Sequence, residues 1–491
     1  MSPAPLLRRF CLTALAAGAL AACSDREKGP IVVSVIGDRD QLATPYKYLP
    51  APAAKLMLES TAQGLVAFDA AGDIMPALAQ RWIVQEDGRS YIFRLRRATW
   101  PNGARVTAKD VARMVNARIE LIRATDPDGP LDAVSAAVPM TGEVVEIRLL
   151  AARPNLLQML AQPQMGLSAR NGGTGPYSQQ RWGRALMLEP VSDPADPVDE
   201  AGIPPEERRI LRAEKAAQAV VRFDAGQAAL VLGGRYADLP LVQRAGIDTS
   251  AIRIDPVMGL FGLAVTGDGP LMDDDGVRAA ISMVIDRDQL PGLLGLGRWS
   301  AGPDFVPQQL ELPRAPTRPD WAGLSMEDRV ARARAAVARW RAVQDGAPPA
   351  IRIAMPPGPG SILVHGLIDA GLRRIGLSSV RVGPDEKADL TLIDEVAPYD
   401  SVLWYLGRVA CARGVHCSKQ ARAKLQEASL STTSEERQAR IAEAEALTVA
   451  HNGYIGLGAP VRWSLVSRRL TGFAPSPRAR HPLNHLLREP N

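Results

Sequence analysis

Histidine and cysteine are scarce in this chain, with five His and four Cys among 491 residues. The imidazoles of His365, His416, His451, His481 and His485 are dispersed, and no H-E-x-x-H metalloprotease pattern occurs. There is also no G-x-S-x-G, no Walker-type G-K-[ST] and no G-x-G-x-x-G, so the usual sequence signals of serine hydrolases, P-loop enzymes and dinucleotide binders are missing. Pro356 to Ser361 (P-P-G-P-G-S) lacks the lysine of a phosphate cradle, and its prolines cannot donate N–H groups, so it reads as a loop before a helix N-terminus. Lysine is rare as well, eight of 58 basic residues. The arginines are scattered without a basic block or an aromatic-interleaved stripe, which argues against nucleic acid as a partner. Beyond residue 23 no apolar run is long enough to span a bilayer. His365 lies in an apolar helical pattern and reads as a packing residue. His481 and His485 flank Pro482 near the end of the chain and read as a surface tail.

The N-terminus is strongly patterned. Arg8 and Arg9 precede an apolar stretch from Phe10 to Ala22 that is too short to cross a membrane and ends in small residues, as a secretory signal peptide does. Leu20-Ala21-Ala22-Cys23 resembles the bacterial lipobox, in which the cysteine thiol receives a lipid before cleavage. Residues 1–22 are therefore expected to be removed, leaving Cys23 lipidated and residues 23–30 as a short tether. Cys11 would leave with the signal, so the mature domain would keep Cys411 and Cys417, with His416 beside the second. Such a trio can be a metal site, a redox centre or a disulfide loop. An exported domain meets an oxidising compartment, so a Cys411–Cys417 disulfide is expected, with metal binding at His416 as the alternative.

The rest of the chain alternates helical and strand periods, which points to α/β architecture. Ile31 to Ile36 reads as a buried strand, and Tyr91 to Arg96 as a half-exposed one. Thr107 with Asp110, Ser325 with Asp328 and Thr433 with Glu436 mark helix starts. A further helix follows Asp273-Asp274-Asp275. Ile351–Met355, Ser361–Ile375 and Ser379–Val382 form one βαβ unit, and the Pro/Asp-rich stretch 191–197 reads as a loop.

Four stretches then appear in a recognisable order. Gly64 to Val111 includes Asp69, Gly72, Pro76, Leu78, Ala79, Trp82, Asp87, Gly88, Trp100, Asn102, Gly103, Thr107, Ala108 and Asp110 at family spacing. Gly173-Thr174-Gly175-Pro176-Tyr177, Val277 to Arg287 and Leu372 to Leu377 follow. Together they resemble the family 5 solute-binding proteins, the peptide- and nickel-binding components of ABC importers. The resemblance implies a two-lobed periplasmic-binding-protein-like fold (type II, cluster C) with an extra subdomain. It places lobe I at 31–265, including the subdomain at about 56–169, lobe II at 266–454, and a return to lobe I over 455–491. It further implies a non-enzymatic, monomeric binder in the periplasm, without a cofactor, held to the membrane by its lipid. Its partners would be a peptide or other small solute and the importer's permease.

The ligand-facing loops match less well than the scaffold. Peptide-binding members carry an acid that pairs with the peptide amine, and Val396 stands at that place here. The same loop, Ala397-Pro398-Tyr399-Asp400, is similar to that of nickel-chelate binders. Candidate ligand-binding residues are Asp38 and Asp40 after the first strand, and Glu395, Tyr399 and Trp404 on the opposing loop. A metal or metal-chelate ligand, and a lipoprotein with a degenerate cleft, are the alternatives to a peptide-like solute.

Overall fold

The computed structural model describes residues 29–488, apart from 70, 126–129, 170–171, 192–201, 298, 311, 345 and 432. The expected signal peptide, Cys23, most of its tether and nearly all of the 191–197 loop lie outside the described residues.

Two mixed sheets and a smaller antiparallel one organise the chain. The seven-stranded sheet runs, edge to edge, through Tyr177–Trp182, Ala185–Pro190, Arg209–Glu214, Ile31–Ile36, Leu230–Arg235, Arg462–Val466 and Ile252–Ile254. Ile31–Ile36 is parallel to both of its neighbours, and Ile31, Val33 and Val35 are buried, as its β-branched run requires of a central strand. The five-stranded sheet runs Ser379–Val382, Ile351–Ala354, Leu390–Val396, Gly259–Val265, Tyr454–Gly458. Its first two strands are the parallel pair of the expected βαβ unit, joined by the Pro359–Arg373 helix. Ala79–Gln85, Ser90–Leu95, Val144–Leu149 and Val134–Thr141 form the four-stranded sheet, covered by the Ala108–Thr125 helix.

Helix starts follow local chemistry. Thr107, Ser325 and Thr433 each accept the backbone N–H three residues on, at 3.2, 3.1 and 3.2 Å. In the acidic run Asp274 is the cap, accepting from the Val277 N–H at 2.8 Å.

The chain passes between the two large sheets twice, between Ile254 and Gly259 and between Gly458 and Arg462. Both crossings differ from the expected boundaries at 265 and 455. Gly259–Val265 sits inside the second sheet, paired on both sides, and Tyr454–Gly458 is its edge. The crossings run side by side, with the Asp255 N–H donating to the Arg462 carbonyl at 3.0 Å. Such paired strands are the expected form of a two-strand hinge.

Packing also explains the conspicuous glycines. A Cβ on Gly175 would lie 2.4 Å from the Thr61 backbone, so the G-T-G-P-Y turn is a close approach of two chain segments. At the Pro356–Ser361 loop the Gly360 N–H donates to the Ala237 carbonyl at 2.8 Å, and a Cβ there would meet the Tyr236 carbonyl at 2.1 Å. That loop seats a helix start against the first sheet. His481 departs from the surface-tail expectation, being buried, stacked on Phe473 at 4.5 Å and 3.1 Å from Asp255. The segment after the second crossing folds back over the hinge, and the burial of its apolar residues outweighs the sequence cue of Pro482.

Candidate functional site

Loop 397–401 leaves the second sheet directly after Val396, leads into the helix Val402–Arg408 and leans on the four-stranded subdomain. Tyr399 is 6% exposed and belongs to the subdomain's own apolar core. Gln162 of the subdomain donates to the Pro398 carbonyl at 3.1 Å. From the C-terminal segment, Arg478 pairs with Asp400 at 2.8 Å and donates to the Ala397 carbonyl at 3.2 Å. Arg480 pairs with Glu59 at 2.6 Å and donates to the Ala161 carbonyl at 3.2 Å. The Gln162 and Arg478 contacts join the lobes around the loop, and those of Arg480 tie the C-terminal segment to the subdomain side.

Beside the loop is a cavity of about 1660 Å³ walled on one side by the subdomain and on the other by the second lobe. Arg153, Asn155, Met159, Gln162 and Gln164 come from the subdomain. Glu395, Tyr399, Trp404, Arg408, Arg413, His416 and the Cys411–Cys417 disulfide come from the second lobe, and Met258 of the first crossing also lines it. Trp404 stands edge-on to Tyr405 at 4.9 Å and packs on two cores, so part of its surface is structural. The Glu395 carboxylate pairs with Arg408 and is not free to meet a ligand amine without breaking that pair. His416 has Nε2 2.7 Å from the Gly267 carbonyl, which can only accept, so Nε2 carries a proton and donates it there. The two sulfurs are bonded to each other and offer no thiolate. Among the described residues no group of three or more His, Cys, Asp or Glu is placed to hold a metal.

The cavity thus collects Glu395, Tyr399, Trp404, His416, Cys411 and Cys417. Asp38 and Asp40 lie elsewhere: both are exposed, neither lines the cavity, and Asp38 pairs with Lys215 at 2.7 Å. They stand at the exposed start of a short helix, Arg39–Ala43, that follows the first strand.

A second charged locus lies where the crossings meet the sheets. Successive strand residues face opposite ways, so Asp394 points away from Glu395, toward the first lobe. It accepts from Arg462 Nη1 at 2.6 Å, with the Asp394 side chain 6% exposed and that of Arg462 11%. This buried ion pair joins the two sheets. Arg462 and Arg235 are direct partners on adjacent antiparallel strands. Lys55 reaches the same region from the Pro52–Thr61 helix, whose first turn packs on Gly233. Burial, and then the nearby Arg462, hold the Lys55 ammonium down at about 8 despite the opposing Glu59. Burial likewise lowers the Arg235 guanidinium. No motif marks these residues, yet each carries a local signal. Lys55 interrupts the apolar run A-A-K-L-M-L. Arg235 ends, and Arg462 begins, a strand of otherwise buried residues.

Against known proteins, residues 73–339 match the model of the bacterial extracellular solute-binding proteins, family 5. The chain is similar in structure to the Escherichia coli murein tripeptide binding protein MppA, with a TM-score of 0.78 at 17% identity over 94% of this chain and 99% of that one. The unliganded open form of MppA is less similar, with a TM-score of 0.65 at 17% identity over 94% and 98%. NikA of Brucella suis in complex with Fe(III)-EDTA gives 0.74 at 18% identity, covering 94% of this chain and 100% of that one. No curated protein sequence matches the chain.

Proposed function

Because the chain belongs to the family 5 bacterial extracellular solute-binding proteins, which bind solutes for transport and are not enzymes, we propose that it captures a peptide-like solute between its lobes for an ABC importer. The observation that carries this reading is the cavity of about 1660 Å³ shared by the subdomain and the second lobe. It exceeds the roughly 300–1,000 Å³ of a typical small-molecule site and suits an extended solute. A ligand touching both walls stabilises the closed arrangement by the contacts it adds there. The lower similarity to the unliganded open MppA fits a closed arrangement of this chain. Lipidation at Cys23 would hold the protein at the membrane beside its permease and prolong its encounters with it.

A metal chelate is the second reading, favoured by the A-P-Y-D loop and by His416 on the cavity wall. Native mass spectrometry of the protein extracted from its own membranes tests the proposal. The expected spectrum carries one additional peptide-like mass, released on denaturation. A metal chelate there would favour the second reading, and protein free of any solute would favour a degenerate cleft.

A further inference from the structure

We infer that residues 476–481 form a strap anchored at the hinge, and that Arg478 on it positions the Ala397–Asp400 turn and latches the second lobe when the lobes close. The inference rests on solute capture between the lobes and names the part of the chain that sets how readily they close.

The fixed points of the strap lie on the hinge, the first lobe and the subdomain. Asp255, on the first crossing, holds both of its ends. Its Oδ1 accepts from the Ser476 N–H at 2.9 Å, and its Oδ2 lies 3.1 Å from His481 Nε2. Asp255 and His481 are both buried, and Phe473 stacks on the imidazole at 4.5 Å. Between these ends Arg480 turns toward the Pro52–Thr61 helix and the subdomain. It pairs with Glu59 at 2.6 Å, donates to the Ala161 carbonyl at 3.2 Å and lies 4.9 Å over the Phe68 ring. None of these partners belongs to the second sheet.

Arg478 goes the other way. Ala479 takes φ +51°, a left-handed conformation rare outside glycine, and its N–H donates to the Ser476 carbonyl at 3.1 Å. The tight turn separates the two arginines. Arg478 donates from Nη1 to the Ala397 carbonyl at 3.2 Å and pairs through Nη2 with Asp400 at 2.8 Å. One guanidinium therefore holds both ends of the turn that puts Pro398 and Tyr399 on the cavity wall. Because the anchors do not depend on the second lobe, the strap can stand formed in an open arrangement, with Arg478 ready to receive the turn. The latch is also able to release. Arg478 Nε is buried without a hydrogen-bond partner among the described residues, a desolvation cost that water removes when the lobes part. Asp400 is half exposed, so water and salt weaken the pair. A contact made only in the closed state raises the closed population, and with it the apparent affinity for any solute held between the walls.

The test uses the full chain in detergent, stripped of bound solute, with the radius of gyration read by neutron scattering while the detergent is contrast-matched. Stripped Arg478→Met and Asp400→Asn are each expected to show a larger radius than stripped wild type, because the closed fraction falls. With a saturating tryptone peptide pool all three should reach the same radius, the variants needing about tenfold more pool to come half-way. The double variant should need little more than Arg478→Met, since both changes break one contact. Asp400→Asn alters an exposed residue and carries the test if Arg478→Met does not fold.

Equal radii for the stripped proteins overturn the latch whatever the pool does. So does a lowered thermal midpoint with wild-type radius and wild-type pool requirement, the result of a merely structural arginine. A radius difference that persists while the pool moves no radius keeps the latch and counts against peptide capture.

Discussion

Asp394→Asn is expected to lower the free energy of unfolding by about 3–5 kcal/mol, measured by denaturant titration. The carboxylate reaches from the second sheet to neutralise Arg462 in the first. Its removal leaves a guanidinium that is 9% exposed without a counter-charge, directly across the ladder from Arg235 and near Lys55. The reciprocal change, Arg462→Met, should cost less. It strands the Asp394 carboxylate but also relieves the Arg–Arg repulsion. The double change Asp394→Leu with Arg462→Met should recover most of the loss, because apolar groups of similar volume remove both desolvation costs. A cost for Asp394→Asn below about 1 kcal/mol, the range of exposed pairs, would show that water reaches the junction.

Trp463→Ala is expected to cost about 3–5 kcal/mol. The ring is 1% exposed and lies flat on Gly234, where a Cβ would come within 2.1 Å of it. Its Nε1–H satisfies the Arg235 carbonyl at the strand end. Truncation therefore opens a cavity in the core shared by both lobes and removes one of the two hydrogen bonds to the Arg235 carbonyl, which keeps the one from the Asp238 N–H at 3.1 Å. Gly234→Ala should also destabilise, by collision. Combined with Trp463→Ala, its cost should largely disappear, since the ring it strikes is gone. Additive costs would place the two residues in separate environments.

The parts of the fold visible in the sequence are those fixed by neighbours in the chain. Thr107, Ser325 and Thr433 announce their helices because a cap and its partner lie three residues apart. Ile31–Ile36 announces a central strand because a continuous β-branched run suits burial on both faces. The crossings differ from the expected boundaries by several residues; Asp255-Pro256 and Pro460 do interrupt the strands at both places, but a local break does not say which sheet the next strand joins. The loop from Glu395 to Trp404 and the cysteine pair could be assigned to one neighbourhood, and the cavity unites them. Asp38 could not be judged, because its partner Lys215 lies far along the chain. The junction was hidden for the same reason. Lys55, Arg235, Asp394 and Arg462 come from a helix and three strands, and only the folded sheets bring them together. What the sequence did carry was a cation in an apolar helix and cations at the ends of largely buried strands.

Small-angle X-ray scattering on the solute-stripped protein, before and after addition of the tryptone peptide pool, tests capture between the lobes most directly. If the lobes close on the solute about the paired crossings, the radius of gyration falls on addition and returns when the solute is removed. A radius unchanged at saturation, with binding confirmed in the same sample by calorimetry, would contradict closure and place the ligand on a rigid surface.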